Sequence, residues 1–426
     1  MNLVEKILAR ASGKESVAAG DVVVADVDRL VMHDLSAYLT SKVYEERIGT
    51  ELPYPDRVVT VFDHHFSPPT EHQADVLNWN RAWSKRRGTR LFDCGNGNIH
   101  NVLMQSGLAL PGQIVVGSDS HTPVHGAVGA LAVALGNDSH AGTVMPFGKA
   151  WFRVPELVQI ELSGQLQPGV TPRDVALWLV KELGEGSVIY KALEFTGPFI
   201  KNLDFWDRWL FPVLCVDLGA KCGYIEPDAV TRSFVQSLPG GSLDGLVNGD
   251  GDPASDIRRF DVGAVAPQVA APPTVGNVHG VDELAGTPVQ WAELGGHSGG
   301  RVKDFVLAAE VLRGRHIHPD VKLNLVPGSR EVFRQVLELG LVAELHEAGG
   351  TWFPPSTGSN QMVNMGAMSA GEAMISTHAR NFPGRNGSTH SSMYLAAAHT
   401  VAASALVGTI ADPRNIVENA VKEKEA

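Results

Sequence analysis

The sequence predicts an α/β protein built from more than one domain. Its 426 residues exceed what one ordinary hydrophobic core organises, so two or three packed domains are expected. Short apolar runs rich in β-branched residues, such as residues 57–62 (RVVTVF) and 113–117 (QIVVG), alternate with longer helical patterns. This alternation is typical of parallel sheets covered by helices. We expect domains at residues 1–152, 153–280 and 281–426, with the Pro-rich stretch 264–276 as a crossing between the last two.

Composition excludes several classes of function. The formal net charge is −12, and no cluster of Lys and Arg occurs, which disfavours nucleic acid as a partner. Residues 1–17 read as a short amphipathic helix rather than a signal peptide. The longest apolar run, residues 393–410, is rich in Ala and interrupted by polar side chains, which favours a buried helix over a membrane span. These observations predict a cytoplasmic protein with no membrane partner.

Local signals place further elements along the chain. The sequence Thr171-Pro172 predicts a helix that begins with Thr as its cap and Pro in the first turn. The small-residue run 125–136 (HGAVGALAVALG) predicts a second helix, packed closely against a sheet.

Polar side chains follow two of the predicted strands. Residues 63–65 (DHH) end the first strand, and residues 118–121 (SDSH) end the second. Open α/β sheets bind their ligands at the carboxyl ends of their strands, so these side chains are site candidates. A single His is often structural. Asp63, His64, His100, Asp119 and His121 together favour proton transfer, because His titrates near neutral pH and Asp can orient it.

Six segments in order resemble the large subunits of the aconitase superfamily, and most closely those of isopropylmalate and homoaconitate dehydratases. They are residues 63–65, 97–136, 218–228 (LGAKCGYIEPD), 299–305 (GGRVKDF), 326–330 (VPGSR) and 379–387 (ARNFPGRNG). The resemblance covers nearly the whole chain. It implies three α/β/α domains around a shared cleft, without the swivelling fourth domain, which the split enzymes of the family carry on a separate small subunit.

The resemblance also implies roles for individual residues. His64, His100, Asp119 and His121 would surround the substrate hydroxyl that leaves as water. Arg380 and Arg385 would bind substrate carboxylates through their planar, two-pronged guanidinium groups, although isolated arginines are often only solvated surface residues. Ser120 is assigned to substrate binding, and it is expected to cap the following helix rather than act as a nucleophile, because no nucleophile-elbow motif surrounds it. Ser329 and Arg330 could line the pocket or form a simple turn.

The chain departs from the family pattern at the positions that hold its iron–sulfur cluster. His297 stands where the family has one cluster cysteine, and Thr357 and Asn360, within a residue or two, stand where it has the other two. Fe–S clusters need Cys thiolates, with occasional replacement by His. Cys94, Cys215 and Cys222 lie outside these positions and read as small buried hydrophobic residues. The sequence therefore predicts a protein without a [4Fe–4S] cluster.

A single divalent metal ion is one replacement for the cluster. His297 would bind it together with Asp119 and His64, whereas the alternative is that His297 only fills the space of the missing thiolate. The preferred function is a lyase or isomerase acting on a small hydroxylated di- or tricarboxylate, together with a small swivel-domain subunit. Two alternatives remain: a non-catalytic subunit of a dehydratase complex, and a cluster-independent isomerase or decarboxylase on the same scaffold.

Overall fold

The computed structural model describes residues 1–251, 254–359 and 365–416. The chain divides into two compact units. Unit 1 comprises Met1–Cys94, Ile99–Gly164 and Gly186–Asp261, and unit 2 comprises Gly95–Asn98, Gln165–Glu185 and Val262–Ala426. Strands and helices alternate in both, so the predicted α/β class is confirmed. The three domain boundaries stay a prediction.

The strands and helices are numbered in chain order. The strands are β1 (Val22–Asp26), β2 (Arg29–His33), β3 (Val58–Val61), β4 (Arg90–Phe92), β5 (Ile114–Gly117), β6 (Leu131–Ala134), β7 (Lys149–Arg153), β8 (Leu157–Ser163), β9 (Ala192–Thr196), β10 (Cys222–Tyr224), β11 (Asp256–Asp261), β12 (Gln268–Ala270), β13 (Val278–Gly280), β14 (Trp291–Leu294), β15 (Lys322–Leu325), β16 (Gly350–Trp352), β17 (Ala373–Ser376) and β18 (Ser392–Ala396). The α-helices are α1 (Leu3–Ser12), α2 (Asp34–Arg47), α3 (Glu71–Arg87), α4 (Ile99–Gln105), α5 (Asn137–Ser139), α6 (Met145–Phe147), α7 (Pro172–Leu183), α8 (Pro198–Asn202), α9 (Phe205–Arg208), α10 (Cys215–Leu218), α11 (Ala229–Ser237), α12 (Val281–Leu284), α13 (Val302–Leu312), α14 (Arg330–Glu338), α15 (Leu341–Glu347) and α16 (Ala398–Val407).

A five-stranded parallel sheet, in the order β4-β3-β2-β5-β6, positions the polar residues of unit 1. The two apolar runs predicted as strands form β3 and β5, and every residue of both is buried. Because the strands run parallel, β2, β3 and β5 all deliver the residues that follow them to the same edge of the sheet.

The helix predicted over residues 125–136 is wrong. The segment instead forms part of a 3-10 helix, Thr122–Val128, followed by β6, which pairs in parallel with β5. Gly129 ends the 3-10 helix at φ +77°, in the left-handed region that favours glycine. The small residues serve close approach between backbones, because a side chain at Gly126 would collide with the carbonyl oxygen of Gly223.

Unit 1 contains a second parallel sheet, in the order β10-β9-β8-β11, and an antiparallel ribbon of β1 with β7. The predicted N-terminal helix is α1, and Asn2 caps it by accepting a hydrogen bond from the backbone N–H of Glu5 at 3.0 Å. The apolar face of α1 joins the main hydrophobic core of the unit.

Unit 2 is built on a seven-stranded sheet, in the order β13-β12-β18-β17-β14-β15-β16. The strands from β18 to β16 pair in parallel, whereas β12 and β13 are antiparallel to their neighbours. The predicted start of α7 is confirmed, with Thr171 at the cap position and Pro172 in the first turn. The Asp174 carboxylate accepts hydrogen bonds from the backbone N–H and the hydroxyl of Thr171, both at 2.8 Å.

The apolar run near the C-terminus forms β18 and the buried helix α16 rather than one long helix. Among the described residues, none of the helices combines the length and the apolar character that crossing a membrane requires. The predicted cytoplasmic location stays a prediction.

Candidate functional site

Two buried aspartates organise the polar residues that follow β2 and β3. Asp34 begins α2 directly after β2, and its carboxylate accepts hydrogen bonds from the backbone N–H groups of His64 at 3.3 Å and His65 at 2.8 Å. Asp63 accepts a hydrogen bond from Nδ1 of His64 at 2.8 Å and another from the backbone N–H of Ile99 at 2.8 Å. The side chains of both aspartates and both histidines are buried, so this hydrogen-bond network sets their orientation.

The electrostatics of this network favour a charged His64. Burial opposes the positive charge, but Asp63 and Asp34 outweigh it and raise the pKa of His64 well above its ordinary value. Burial likewise opposes the charge of Asp34, yet hydrogen bonds from His64 and His65 hold the pKa of that carboxyl below its ordinary value. His64 is therefore an imidazolium at neutral pH, held between two carboxylates.

Sequence reasoning missed His33 and Asp34. The ring centroids of His33 and His64 lie 4.5 Å apart, and burial followed by repulsion from His64 lowers the pKa of His33. The sequence does contain a signal for them, because His33 and Asp34 follow a short apolar run in the same way that Asp63 and His64 do. The run before them, residues 29–32, was not recognised as a strand of the same sheet.

A third carboxylate, Asp119, lies after β5 and holds two imidazoles. Its Oδ1 lies 3.1 Å from Nε2 of His100 and 3.2 Å from Nδ1 of His121, and it also accepts the backbone N–H of His121 at 2.7 Å. Thr122 closes the turn by donating its hydroxyl to the backbone carbonyl of Asp119 at 2.6 Å. His100 and His121 are buried, and Asp119 is 8% exposed.

The two groups adjoin within unit 1. A ring nitrogen of His64 and a carboxylate oxygen of Asp119 lie within 4.8 Å of each other. The structure thus brings together Asp63, His64, His100, Asp119 and His121, the five residues proposed from sequence for proton transfer. Side chains at such distances can hold and pass protons near neutral pH.

Two further buried histidines line this region in neutral form. Burial, with repulsion from His100, lowers the pKa of His125 well below its ordinary value. Burial lowers the pKa of His140 to about 4. Neither imidazole carries charge at neutral pH, which leaves His64 as the one of these three suited to donate a proton.

Two sets of side chains in unit 1 are close enough to hold a metal ion. The ligand atoms of His33, Asp34 and His64 lie within 4.8 Å of one another, and so do those of a second set, His100 with Asp119 and His121. The carboxylates of Asp34 and Asp119 already accept hydrogen bonds from the protein, and a bound ion would have to replace these bonds.

Ser120 does not cap the helix that follows. The 3-10 helix begins after His121 without a side-chain cap, and the Ser120 hydroxyl instead lies 3.5 Å from Nδ1 of His121. Ser120 is partly exposed beside the Asp119 group. Its assignment as a substrate-binding residue stays a prediction.

Unit 2 carries the remaining residues singled out from sequence. Arg380 and Arg385 lie in the loop after β17, where Arg380 is half-buried and Arg385 is 5% exposed, with its guanidinium 5.2 Å from the centre of the Phe382 ring. His297 and Thr357 are buried. Asn360 lies outside the described residues.

Ser329 of the VPGSR segment lies at the N-terminus of α14, and its proposed place in the pocket stays a prediction. Ser329 caps α14 by accepting a hydrogen bond from the backbone N–H of Val332 at 3.1 Å, and it is buried. Its hydroxyl is thus committed to the helix terminus.

The chain is similar to known proteins along nearly its whole length. The chain matches the model of the aconitase family (aconitate hydratase) over residues 5–286 and 264–408. It is 38% identical over 416 residues to 3-isopropylmalate dehydratase large subunit 1 of Methanopyrus kandleri, covering 97% of this chain and 98% of the relative. It is 35% identical over 424 residues to the probable methanogen homoaconitase large subunit of Methanothermobacter thermautotrophicus, covering 98% and 99%. It is 34% identical over 417 residues to 3-isopropylmalate dehydratase large subunit 1 of Archaeoglobus fulgidus, covering 97% of this chain and 99% of the relative.

These matches correct the expectation about cofactors. Proteins of the matched family normally bind a [4Fe–4S] cluster, and this contradicts the prediction that the chain carries none, with one divalent ion as its possible substitute. The prediction inferred a property of the whole protein from three substituted positions, whereas the family match extends over nearly the entire chain.

All three cysteines of this chain are thiols outside any disulfide, and Cys215 and Cys222 are buried. Burial raises the pKa of Cys222 to about 12 and that of Cys215 well above its ordinary value. Burial, followed by Asp93, raises the pKa of Cys94 to about 11. Cluster ligation needs thiolates, and in the part of the chain that the structure describes, none of the candidate ligand groups includes a cysteine.

Proposed function

Because the chain belongs to the aconitase family, we propose that it is the large subunit of a hydro-lyase that acts on a small hydroxylated di- or tricarboxylate. The observation that carries this proposal is the buried group of unit 1, in which a cationic His64 adjoins the Asp119 carboxylate and its two imidazoles. A proton donor beside a proton acceptor is what reversible removal of water requires.

In the proposed reaction the substrate loses a carbon-bound proton to one imidazole and a neighbouring hydroxyl, which leaves as water after a second imidazole protonates it. An imidazole held by Asp119, either His100 or His121, accepts the carbon-bound proton. The electron pair of the C–H bond forms the new C=C bond as the C–O bond breaks. Nδ1 of His64 is bound to Asp63, so its other ring nitrogen, Nε2, donates the proton to the departing hydroxyl, and water leaves. Water then adds in the opposite orientation and gives the isomer: the hydroxyl bonds to the carbon that lost the proton, and a proton bonds to the carbon that lost the hydroxyl.

In unit 2, Arg380 and Arg385 are the proposed ligands of substrate carboxylates. The partial burial of Arg380 and the near-complete burial of Arg385 support this role, because a guanidinium binds a carboxylate more strongly where water is largely excluded.

The proposal includes a separate small subunit. The curated relatives are named large subunits, and this chain spans 98–99% of their length in the three comparisons above. The term large subunit implies a second, smaller subunit, so this chain needs such a partner if it works as its relatives' names imply. We therefore expect little turnover by the chain alone and full turnover after its small subunit is added.

The test is dehydration of 3-isopropylmalate, with malate and citrate as further probes, by the chain purified with its small subunit. Formation of the unsaturated acid is followed by ultraviolet absorbance. His64→Gln should lower kcat by about 10²–10⁴-fold. The control is His279→Gln, because His279 is partly exposed and pairs with the exposed Glu283. Loss of activity in neither variant, or in both equally, would reject His64 as the proton donor. An intact complex with no turnover of any probe would instead favour a non-catalytic subunit.

A further inference from the structure

A buried carboxylate in unit 2 ties together several of its chain segments. Glu293, in β14, is completely buried, and its Oε1 accepts hydrogen bonds from Nε2 of His378 at 2.6 Å and from the backbone N–H of Ser359 at 2.9 Å. Its Oε2 accepts hydrogen bonds from Nδ2 of Asn324 at 3.2 Å and from the Ser359 hydroxyl. Side chains from β15, the loop after β16 and the loop after β17 thus converge on one residue.

The surrounding backbone is shaped to admit this group. Gly358 has φ +76°, and a Cβ there would lie 2.3 Å from Oε1 of Glu293. Gly296 has φ +89°, and a Cβ there would lie 2.8 Å from Nδ1 of His378. Only glycine allows both the left-handed conformation and the close approach. The carboxylate and the imidazole are therefore enclosed by bare backbone on two sides.

The pair is held by charge as well as by shape. Burial disfavours an ionised Glu293, but the charge and hydrogen bond of His378, with hydrogen bonds from Ser359, hold the pKa of Glu293 below its ordinary value. A buried carboxylate that loses one partner is left poorly compensated, so each partner is strongly held in place.

His378 connects this group to the loop that carries the arginines. It lies two residues before Arg380, and its neighbour Thr377 exchanges two hydrogen bonds of 2.9 Å with the backbone of Gly295. On the other side of Arg380, Asn381 donates a hydrogen bond to the backbone carbonyl of Ala270 at 3.2 Å. Arg380 is thus bracketed by residues that are fixed to β14 on one side and to β12 on the other.

We propose that Glu293 and His378 are a positioning pair, which fixes the loop of residues 377–385 so that Arg380 presents its guanidinium to a substrate carboxylate. The inference rests on the function proposed above. A loop that is ordered before the substrate arrives loses less conformational entropy on binding, so the pair acts mainly on substrate affinity. The pair takes no part in proton transfer, which is assigned to side chains of unit 1.

A second Glu–His pair in unit 2, in which the Glu is about half-exposed, provides a control. His399 of α16 lies 2.9 Å from Oε2 of Glu310 in α13, a helix-to-helix contact that involves no residue of the arginine loop. If His378 only filled space in the fold, replacing it and replacing His399 should affect substrate affinity alike. If it positions the loop, only the replacement of His378 should do so.

The variants are His378→Leu, His378→Gln, Glu293→Gln and His399→Gln, each in the complex with the small subunit. Gln at 378 can place an amide N–H close to the position of Nε2, so it should restore the bond to Glu293, whereas Leu cannot. We expect His378→Leu to raise KM about tenfold with a smaller change in kcat, and His378→Gln to recover most of that loss. Glu293→Gln, which keeps the shape but removes the charge, should be intermediate, and His399→Gln should match the unaltered protein.

Backbone hydrogen exchange over residues 377–385, measured without substrate, provides the second readout. Exchange in this loop should become faster in His378→Leu and stay slow in His378→Gln and His399→Gln. Unchanged exchange in His378→Leu would overturn the inference, and so would a rise in KM that His378→Gln does not reverse. Turnover of the unaltered protein tests the proposed function separately. If no polycarboxylate is turned over but the exchange pattern holds, the proposed function fails while the pair is still shown to order the loop.

Discussion

Nδ1 of His64 donates a hydrogen bond to Oδ1 of Asp63 over 2.8 Å. These two adjacent residues, just after β3, therefore form an ion pair. The second oxygen of Asp63 is held by the backbone N–H of Ile99 at the start of α4. The strand end, the imidazole and the helix start are therefore locked to one carboxylate, and the charge of that carboxylate helps to keep His64 protonated.

Asp63→Asn should shift the pH dependence of activity. Without the carboxylate charge, the pKa of His64 falls toward its ordinary value, so the donor loses its proton at lower pH. The alkaline limb of kcat should then move to lower pH, which a series of kcat measurements against pH would detect. Asp75→Asn serves as the control, since Asp75 is exposed on α3. An alkaline limb that stays in place would show that His64 does not set it.

Asp34→Asn should weaken the fold in a pH-dependent way. The pKa of Asp34 is depressed in the folded protein, so its contribution to stability is fully present above the ordinary pKa of Asp and is lost as pH falls toward the depressed value. Because Asp34 is buried and bonded to His64 and His65, we expect the variant to lose about 3–5 kcal/mol near neutral pH.

Urea unfolding of the unaltered chain and of Asp34→Asn, at several pH values, measures this difference. The gap between the two free energies of unfolding should shrink as the solution is made more acidic. A gap that is constant from neutral to acidic pH would mean that the Asp34 carboxylate stabilises the fold through shape alone.

The sequence predicted the parts of unit 1 that follow local rules. The runs that became β3 and β5 are largely apolar, and DHH and SDSH follow them, so four of the five acid–base candidates followed from pattern and position. The fifth, His100, lies in α4. Asp34 was missed because the apolar part of β2 is only three residues long, between Arg29 and His33. The run 125–136 was misread because small residues suit both a helix and close backbone packing, and only tertiary contacts decide between them.

Unit 2 was less predictable from sequence, for a physical reason. Glu293 and His378 are separated by 85 residues along the chain, and nothing local marks a Glu within an apolar strand as a buried hydrogen-bonding centre. The glycines that make room for the pair, Gly296 and Gly358, read as ordinary turn residues. Long-range pairing of this kind becomes visible only when β14 and β17 are placed side by side.

Replacing Arg380 or Arg385 with Lys should impair the enzyme without unfolding it. Lys keeps the positive charge but loses the planar pair of donors that matches a carboxylate, so we expect the free energy of substrate binding to weaken by about 2 kcal/mol or more. Arg334→Lys is the matched control, because Arg334 lies exposed on α14 and pairs with Glu331 and Glu338. Steady-state kinetics and thermal unfolding decide the matter. Unaltered kcat and KM in both variants would count against carboxylate binding by these arginines.

Gly126→Ala should destabilise unit 1 strongly, whereas Gly142→Ala should not. A Cβ at Gly126 would lie 1.7 Å from the carbonyl oxygen of Gly223, and that atom belongs to the backbone of β10 and cannot swing aside. The 3-10 helix would have to move away from β10, and the turn that carries His121 and Thr122 begins this helix.

We expect a loss of about 1–3 kcal/mol from the overpacking, with a larger loss if the strand pairing of β10 is disturbed. Gly142 lies in the nearby π-helix His140–Val144, and a Cβ there would meet no atom within 4 Å, so Ala should be neutral or slightly stabilising. Chemical denaturation of both variants provides the comparison. Equal stability of Gly126→Ala and Gly142→Ala would show that the contact between residues 126 and 223 is looser in solution than the structure places it.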